Sequence, residues 1–114
     1  MSIPSGKSCL TKIELPSTAG EKLEWLDLSD NNFHQDLSFL QGAINLEGLN
    51  LSNNKFYGNL EPLKDMKKLR WLDISNTDID SGLECLSETV RSFSCSANKR
   101  KDAKVKAIEE VYQY

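Results

Sequence analysis

The chain of 114 residues carries a formal net charge of −3, and 39% of its residues are hydrophobic. That length fits a single domain with a modest core, and no apolar run is long enough to span a bilayer. The charge is uneven, because residues 23–96 hold 12 acidic and 6 basic side chains whereas the flanking segments are slightly basic. An acidic body argues against binding along a phosphate backbone, so we expect neither a nucleic acid nor a membrane as partner.

The cysteines indicate a reducing compartment. Cys9, Cys85 and Cys95 cannot all pair within the chain, and their spacing matches no zinc or redox motif. Reduced thiols are typical of intracellular proteins. Residues 1–22 also lack the apolar segment of a secretory signal. We therefore expect an intracellular protein, cytoplasmic or else nuclear, unless the sequence is a trimmed one that has lost a leader.

The first segment, residues 1–22, has an incomplete pattern. A spacing of three, two and three positions is kept by Leu10, Ile13, Leu15 and Thr18. Leu10 lies little more than half a repeat before Leu23, where the first complete repeat begins, and that stretch is too short for a whole coil. Two interpretations stay open: an amino-terminal cap, which we favour, or a degenerate repeat joined by a tight connection.

The middle of the chain repeats itself at equal intervals. The string LEWLDLSDNNF begins at Leu23, LEGLNLSNNKF at Leu46 and LRWLDISNTDI at Leu69, each close to L-x-x-L-x-L-x-x-N-x-apolar. A fourth copy begins slightly early and keeps the spacing at Val90, Phe93, Cys95 and Asn98. This period and signature are typical of a leucine-rich repeat. We divide the single domain 1–114 into full repeats at 23–45, 46–68 and 69–89, a last partial repeat at 90–100 and a capping helix at 101–114.

Each repeat predicts a short strand followed by a turn. The L-x-L alternation has the period of a strand, and the inward side chains are Leu26 and Leu28, Leu49 and Leu51, and Leu72 and Ile74. Asn31 and Asn54 then occupy equivalent turn positions, where an amide can bond the backbone of the neighbouring coil. Thr77 replaces the third Asn, which predicts a looser turn. A buried apolar column follows at Phe33, Phe56 and Ile79.

The segments that return to the next strand predict short helical or 3₁₀ turns. Their apolar positions come four and seven places after the apolar column: Leu37 and Leu40, Leu60 and Leu63, and Leu83 and Leu86. Gly58, Pro62 and Gly82 make long helices improbable there. Near the end of the chain, Asp102 is placed to cap a helix that would cover the last strand edge. The fold class is therefore α/β with a curved parallel sheet.

The repeat LEGLNLSNNKFYGNLEPLKDMKK is similar to plant-type leucine-rich repeats, which carry Gly and then an apolar residue where Gly58 and Leu60 stand. It is one residue shorter than that pattern and lacks its usual Pro. The tail LECLSETVRSFSCSANKRKDAKVKAIEEV resembles the closing segment of leucine-rich-repeat proteins of mycorrhizal fungi. The resemblance implies a right-handed β/α superhelix, that is a short solenoid, with an interaction or signalling role.

Catalytic and metal-binding patterns are weak. His34 is the only histidine, and no nucleophile is placed beside it by a recognisable motif. Asp78, Asp80 and Glu84 faintly resemble a calcium loop but lack its spacing. We therefore expect no enzyme, no cofactor and no metal. A basic cluster, which indicates either a targeting signal or the exposed face of the capping helix, is formed by Lys99, Arg100, Lys101, Lys104 and Lys106.

The concave face of the sheet should carry three rows of outward side chains. The first row is Trp25, Gly48, Trp71 and Ser92; the second is Asp27, Asn50, Asp73 and Ser94; the third is Ser29, Ser52, Ser75 and Ser96. The first three members of each row are candidate partner-binding residues. Strands about 4.8 Å apart would place Trp25 and Trp71 on the order of 10 Å from each other across Gly48. Either the rings form the walls of a slot, or each lies flat and shields neighbouring backbone.

These features predict a module that binds a protein or peptide, since repeat arrays commonly hold a macromolecule on their concave face. Trp25 and Trp71 would anchor the partner, because Trp is enriched among binding hot spots. Asp27 and Asp73 would select basic or hydroxyl-bearing side chains. The alternative is a structural or scaffold fragment of a larger repeat protein that self-associates, as a weak homo-oligomer, through open repeat ends.

Overall fold

The structure is a computed structural model, and it describes Met1, residues 11–15 and residues 17–112. The helices and strands, in chain order, are α1 (Ser17–Lys22), β1 (Trp25–Asp27), β2 (Gly48–Asn50), β3 (Tyr57–Asn59), β4 (Trp71–Asp73), β5 (Asp78–Ser81), β6 (Ser92–Ser94) and α2 (Lys106–Tyr112). No helix in those ranges has the length and apolar composition that crossing a bilayer requires.

The main sheet contains one strand from each repeat, in the order β1-β2-β4-β6, and all neighbours run parallel. The constant interval between repeats sets the register, which pairs Leu26 with Leu49 and Leu49 with Leu72. Leu72 pairs with Phe93, although the fourth copy begins early and its residue types have drifted. The predicted strands and their alignment are therefore confirmed.

The core lies behind this sheet and is continuous from the first coil to the last. The inward leucines of β1, β2 and β4 are completely buried, as are the predicted apolar columns at Phe33, Phe56 and Ile79. The rings of Phe33 and Phe56 stack at a centroid distance of 5.7 Å. Each coil therefore adds one layer to a shared core, which no single coil could bury alone.

The turns after the strands form two columns of polar side chains. Asp30, Asn53 and Asn76 all adopt left-handed backbone conformations, with φ of 58°, 57° and 58°. Asn53 Nδ2 donates to Asp30 Oδ1 at 2.6 Å, and Asn76 Nδ2 donates to Asn53 Oδ1 at 2.9 Å. We call this series the turn ladder. Thr77 makes fewer bonds than Asn54, as expected, since its hydroxyl donates to the carbonyl of Ile74 within its own coil. Asn76 nevertheless keeps the same φ, and the looser turn at Thr77 stays a prediction.

The second column lies one residue further along and bonds the backbone, as predicted. Asn54 Nδ2 donates to the carbonyl of Leu28 in the preceding coil at 2.7 Å. Its Oδ1 accepts the N–H of Phe33, also in that coil. Asn54 is 3% exposed, so its amide satisfies backbone groups that would otherwise be buried without partners. Coil-to-coil contact thus depends on polar as well as apolar side chains.

The return segments contain the 3₁₀ turns that the sequence predicts, at Ser38–Leu40, Glu61–Leu63 and Leu83–Cys85. An unpredicted feature precedes them: β3 and β5 pair in parallel as a second, two-stranded sheet. Gly82 follows the end of β5 with φ of 95°. A Cβ there would lie 2.5 Å from the backbone nitrogen of Leu60, so the backbones of the second and third coils approach this closely only because residue 82 is glycine.

A chain segment that precedes the repeats packs against the first coil of the array. Residues 11–15 run along the first coil, where the Gln35 side chain accepts the N–H of Ile13 and donates to its carbonyl. Ile13 and Leu15 pack against the core, whereas Leu10 lies outside the described residues. At β1, the Met1 carbonyl accepts the N–H of Asp27 at 2.8 Å. This geometry fits the interpretation of the first segment as a cap, which stays a prediction.

The carboxy-terminal helix begins later than predicted. The sequence places its cap at Asp102, but α2 starts at Lys106 and the preceding residues form turns. The reason is that Ala103 and Val105 are drawn into the core, and the N–H of Val105 donates to the carbonyl of Thr77. Asp102 is left exposed. The segment packs against the array, where α2 contacts β5 and Ile108 is buried in the shared core; that it caps the last strand edge stays a prediction.

Candidate protein-binding face

The outer side of the main sheet carries the candidate residues in the predicted rows. Trp25, Gly48 and Trp71 are paired in register on β1, β2 and β4. Trp25 is 49% exposed, and Trp71 is partly buried. Two indoles thus flank, on an accessible surface, a residue that has no side chain.

The two indoles stack directly on each other. Their ring centroids lie 5.3 Å apart and their planes differ by 22°. The predicted open slot is therefore wrong, and the shielding interpretation is closer to the structure. A Cβ on Gly48 would overlap the Cε3 and Cζ3 atoms of Trp25, so this ring covers the Gly48 backbone. Gly48 supplies the space that lets the rings close on each other, and the result is an aromatic platform.

The Asp and Asn row beside the platform is partly occupied by bonds within each repeat. Asp27 Oδ1 accepts both the N–H of Ser29 at 3.0 Å and its hydroxyl at 2.7 Å. Asn50 Oδ1 makes the same pair of bonds with Ser52, and Asp73 Oδ1 accepts the N–H of Ser75. Among the described residues, no donor bonds the second carboxylate oxygen of Asp27 or Asp73. Those two oxygens are the acceptors that remain for a partner.

The serine row is less accessible to a partner than the sequence suggests. Ser29 and Ser52 direct their hydroxyls to the preceding row, and Ser52 is only 6% exposed. Ser75 Oγ accepts the N–H of Ser96 at 3.1 Å. These serines are bonded at the strand ends, so the aromatic platform and the free oxygens of Asp27 and Asp73 are the groups of the face that are left without partners in the described residues.

The other candidate groups lie elsewhere. His34 packs edge-on against the exposed ring of Tyr57, at a centroid distance of 5.4 Å, on the side of the second sheet. Asp78 and Asp80 also lie on that second sheet. Within the described ranges, His, Cys, Asp and Glu form no group of three or more that could hold a metal ion. Arg100, from the basic cluster, precedes α2 and is bonded to Asp78 rather than free on a helix face.

Comparison with known proteins gives one family. The leucine-rich-repeat model matches residues 22–43 and 45–66, so the first two coils are leucine-rich repeats. The third and fourth coils lie outside the matched residues, and their assignment as repeats rests on the residue spacing and on the strand register described above. The chain matches no curated protein and no solved structure. Leucine-rich repeats generally mediate protein–protein interactions and are typically binding modules rather than enzymes.

Proposed function

We propose that this chain is a protein- or peptide-binding module whose recognition surface is the outer face of the main sheet. The observation that carries the proposal is the stacked pair of Trp25 and Trp71, because one indole is half exposed and is held in a fixed orientation by the other. Aromatic residues that are already ordered lose little conformational entropy on binding, and Trp is enriched in hot spots. In this proposal the sheet is the concave face of a right-handed superhelix.

The partner that suits this surface presents a basic side chain. A Lys or Arg over the exposed ring of Trp25 would gain a cation–π interaction of about 0.5–2 kcal/mol. The free oxygens of Asp27 and Asp73 lie two residues along the same strands and would accept its hydrogen bonds. Both interactions favour a cation, so they act together. A signalling role would follow if that partner is a signalling protein or peptide.

Selection of peptides displayed on phage tests the proposal without a candidate partner in hand. The native chain is the bait, and a Trp25→Ala/Trp71→Ala variant is used for counter-selection. We expect enriched peptides rich in Lys or Arg, with the affinity of the variant reduced more than about tenfold. Trp25 and Trp71 are the only tryptophans, so binding at the platform also changes the intrinsic fluorescence.

A matched control is Tyr57→Ala, which removes another exposed aromatic ring from outside the face. It should bind the selected peptides as the native chain does. Peptides that bind the double variant equally well would refute the proposal. The scaffold alternative makes a different prediction, since self-association through the repeat ends would appear as a concentration-dependent mass in analytical ultracentrifugation and would not respond to the Trp substitutions.

A further inference from the structure

A second surface lies at the edge where the strands of the main sheet begin. The residues immediately before β1, β2, β4 and β6 form a row joined by backbone hydrogen bonds of 2.7–2.8 Å. The row is Glu24, Glu47, Arg70 and Arg91. Its charge therefore changes from negative on the first two coils to positive on the last two.

The positive half of this row borders a cleft of about 720 Å³. We call it the strand-start cleft, and it is lined by Glu47, Lys67, Lys68, Arg70, Thr89 and Arg91. All four cationic residues are exposed. In the described part of the chain, the ion pairs are Lys64 with Glu61 and Arg100 with Asp78, so none of the four cations has a carboxylate within 4.0 Å. The cleft therefore holds four cationic side chains against one carboxylate, that of Glu47, and keeps a net positive charge.

Two of these cations are close neighbours. The N–H of Arg91 donates to the carbonyl of Arg70 at 2.8 Å, so the two residues stand side by side immediately before adjacent strands. Like charges on neighbouring residues repel each other, although water weakens the repulsion between exposed groups. An anion between the two guanidinium groups would remove the repulsion and could accept paired hydrogen bonds from each. Binding an anion is therefore favoured by the fold as well as by the charge count.

We propose that the strand-start cleft binds an anionic segment of a protein partner, whose oxygens belong to carboxylates or to phosphate esters. The positive region is short, because Glu24 and Glu47 follow on the same row and Asp73 lies on the adjacent sheet face. A long nucleic-acid backbone crossing the cleft would continue past Glu47 to Glu24, whereas a segment with a few anionic side chains needs to reach only Arg70 and Arg91, with Glu47 as the one carboxylate in the lining. The charges close to the bound segment determine which partner fits, because physiological salt screens exposed charges that are more than about 8 Å away.

The residues that form this site can be read in the sequence, but they are not contiguous there. Lys67, Lys68 and Arg70 are close in the chain, and Arg91 comes one repeat later. A count of charges over residues 23–96 conceals the cluster, because that segment is acidic as a whole. Only the stacking of consecutive coils brings the four cations to one cleft.

Fluorescence anisotropy with defined probes tests the inference. One labelled peptide carries four glutamates, a second carries two phosphoserines, and a third has glutamine in place of every glutamate. We expect both anionic peptides to bind the native chain at least about tenfold more tightly than the glutamine peptide, with affinity falling as salt is added. The tighter of the two anionic peptides identifies the chemical source of the oxygens.

Variants locate the site. Arg70→Glu/Arg91→Glu should weaken both anionic peptides at least about tenfold, whereas Lys101→Glu/Lys106→Glu, with the same change of net charge at exposed positions elsewhere, should change them less than about threefold. Circular dichroism checks that each variant is folded. Equal losses in the two variants, equal binding of the glutamine peptide, or binding of a short single strand of DNA as tight as that of the peptides would overturn the inference.

This site does not depend on the aromatic platform. Neither Trp25 nor Trp71 lines the cleft, so the Trp25→Ala/Trp71→Ala variant should bind the anionic peptides within about twofold of the native chain. Failure of the peptides to bind the native chain would refute the anionic site alone. Loss of their binding in the Trp variant would show that the anion lies on the sheet face instead, and would equally overturn the assignment to the strand-start cleft.

Discussion

The guanidinium of Arg100 bonds both carboxylate oxygens of Asp78 through Nη2, each at 3.1 Å. Its Nη1 donates to the backbone carbonyls of Asn54 and Asn76. One side chain therefore joins the turns of two coils to the segment that precedes α2. The fixed, planar set of donors in arginine is what allows four acceptors to be bonded at once.

Arg100→Ala should lower the free energy of unfolding by about 2 kcal/mol, because it leaves two carbonyls without this donor and leaves the Asp78 carboxylate with only the N–H of Lys104. Arg100→Lys should recover only part of this loss, since an ammonium cannot reproduce the fork. Lys101→Ala, at an exposed neighbour, should stay within about 0.5 kcal/mol of the native chain. Urea denaturation measures all three, and equal values for Arg100→Ala and Lys101→Ala would contradict the assignment.

Asn54 and Asn31 occupy equivalent positions but should differ in importance. Asn54 bonds both its own coil and the preceding one, so Asn54→Ala should cost about 3 kcal/mol. Asn31 donates only within its own coil, and its buried Oδ1 has no hydrogen-bond partner in the described part of the chain. Asn31→Ala should cost about 1 kcal/mol. Thermal melts of the two variants give the comparison, and the opposite order would contradict it.

Gly48→Ala should separate the stacked indoles without unfolding the protein. The new methyl group would occupy the space of the Trp25 ring and displace that half-exposed ring into solvent. Near-ultraviolet circular dichroism should lose the signal of the coupled indoles, while the melting temperature changes by only a few degrees. Gly20→Ala is the control, since a Cβ there meets no atom within 4 Å. An unchanged spectrum in Gly48→Ala would show that the ring does not lie over the backbone.

Thiol labelling tests the register of the fourth coil. Cys95 is 6% exposed, and burial, helped by the nearby carboxylates of Glu109 and Asp73, raises the pKa of its thiol to about 11. Fewer than about one in a thousand such thiols are ionised at neutral pH, so Cys95 should react slowly. Cys85 is only partly buried and should react first, without added reductant. Cys9, for which fast labelling is also expected, lies outside the described residues. Fast labelling of Cys95 would contradict the register.

The same thiol should make stability depend on alkaline pH. The thiol pKa is about 11 in the folded chain and about 8.5 in an unfolded one, so only the unfolded chain releases the proton between those values. Stability is therefore unaffected by this thiol below about pH 8.5 and falls as the pH rises from there toward about 11, because deprotonation favours the unfolded chain. Cys95→Ala removes this dependence and should show a shallower loss of stability between about pH 8.5 and 10. Parallel pH profiles for the two chains would contradict the shift.

The sequence predicts the strands because their periods are strict. Leucines two residues apart, recurring at the same interval in each repeat, specify a strand, its inward face and its parallel neighbours, so β1, β2 and β4 and their register were predictable. The second sheet was not, because β3 has Gly58 at its centre and β5 is rich in Asp, and neither composition favours a strand. These strands form because coil stacking brings their backbones together, which no local pattern records.

On the candidate face, the arrangement of the backbone was predictable from the sequence, whereas the directions of the side chains were not. The rows were predicted correctly, since strand register fixes which residues are neighbours. The separation of Trp25 and Trp71 was predicted wrongly, because the prediction assumed that each ring stands upright above its own strand. The glycine between them was the available signal: it leaves a space that two large apolar rings gain free energy by closing over. The direction of a side chain, unlike strand register, depends on the size of the neighbouring side chain.

The turn ladder links the coils of the molecule energetically. The amides of Asn53 and Asn76 donate to the preceding coil, the amide of Asn76 also donates to Asn98 in the following coil, and the series ends at Asp30, whose carboxylate accepts but cannot donate. Opening an inner coil therefore breaks bonds to both of its neighbours as well as its share of the core. Amides in all the strands of the main sheet should then exchange with solvent hydrogen through a common opening event, with a single free energy in place of a gradient along the array.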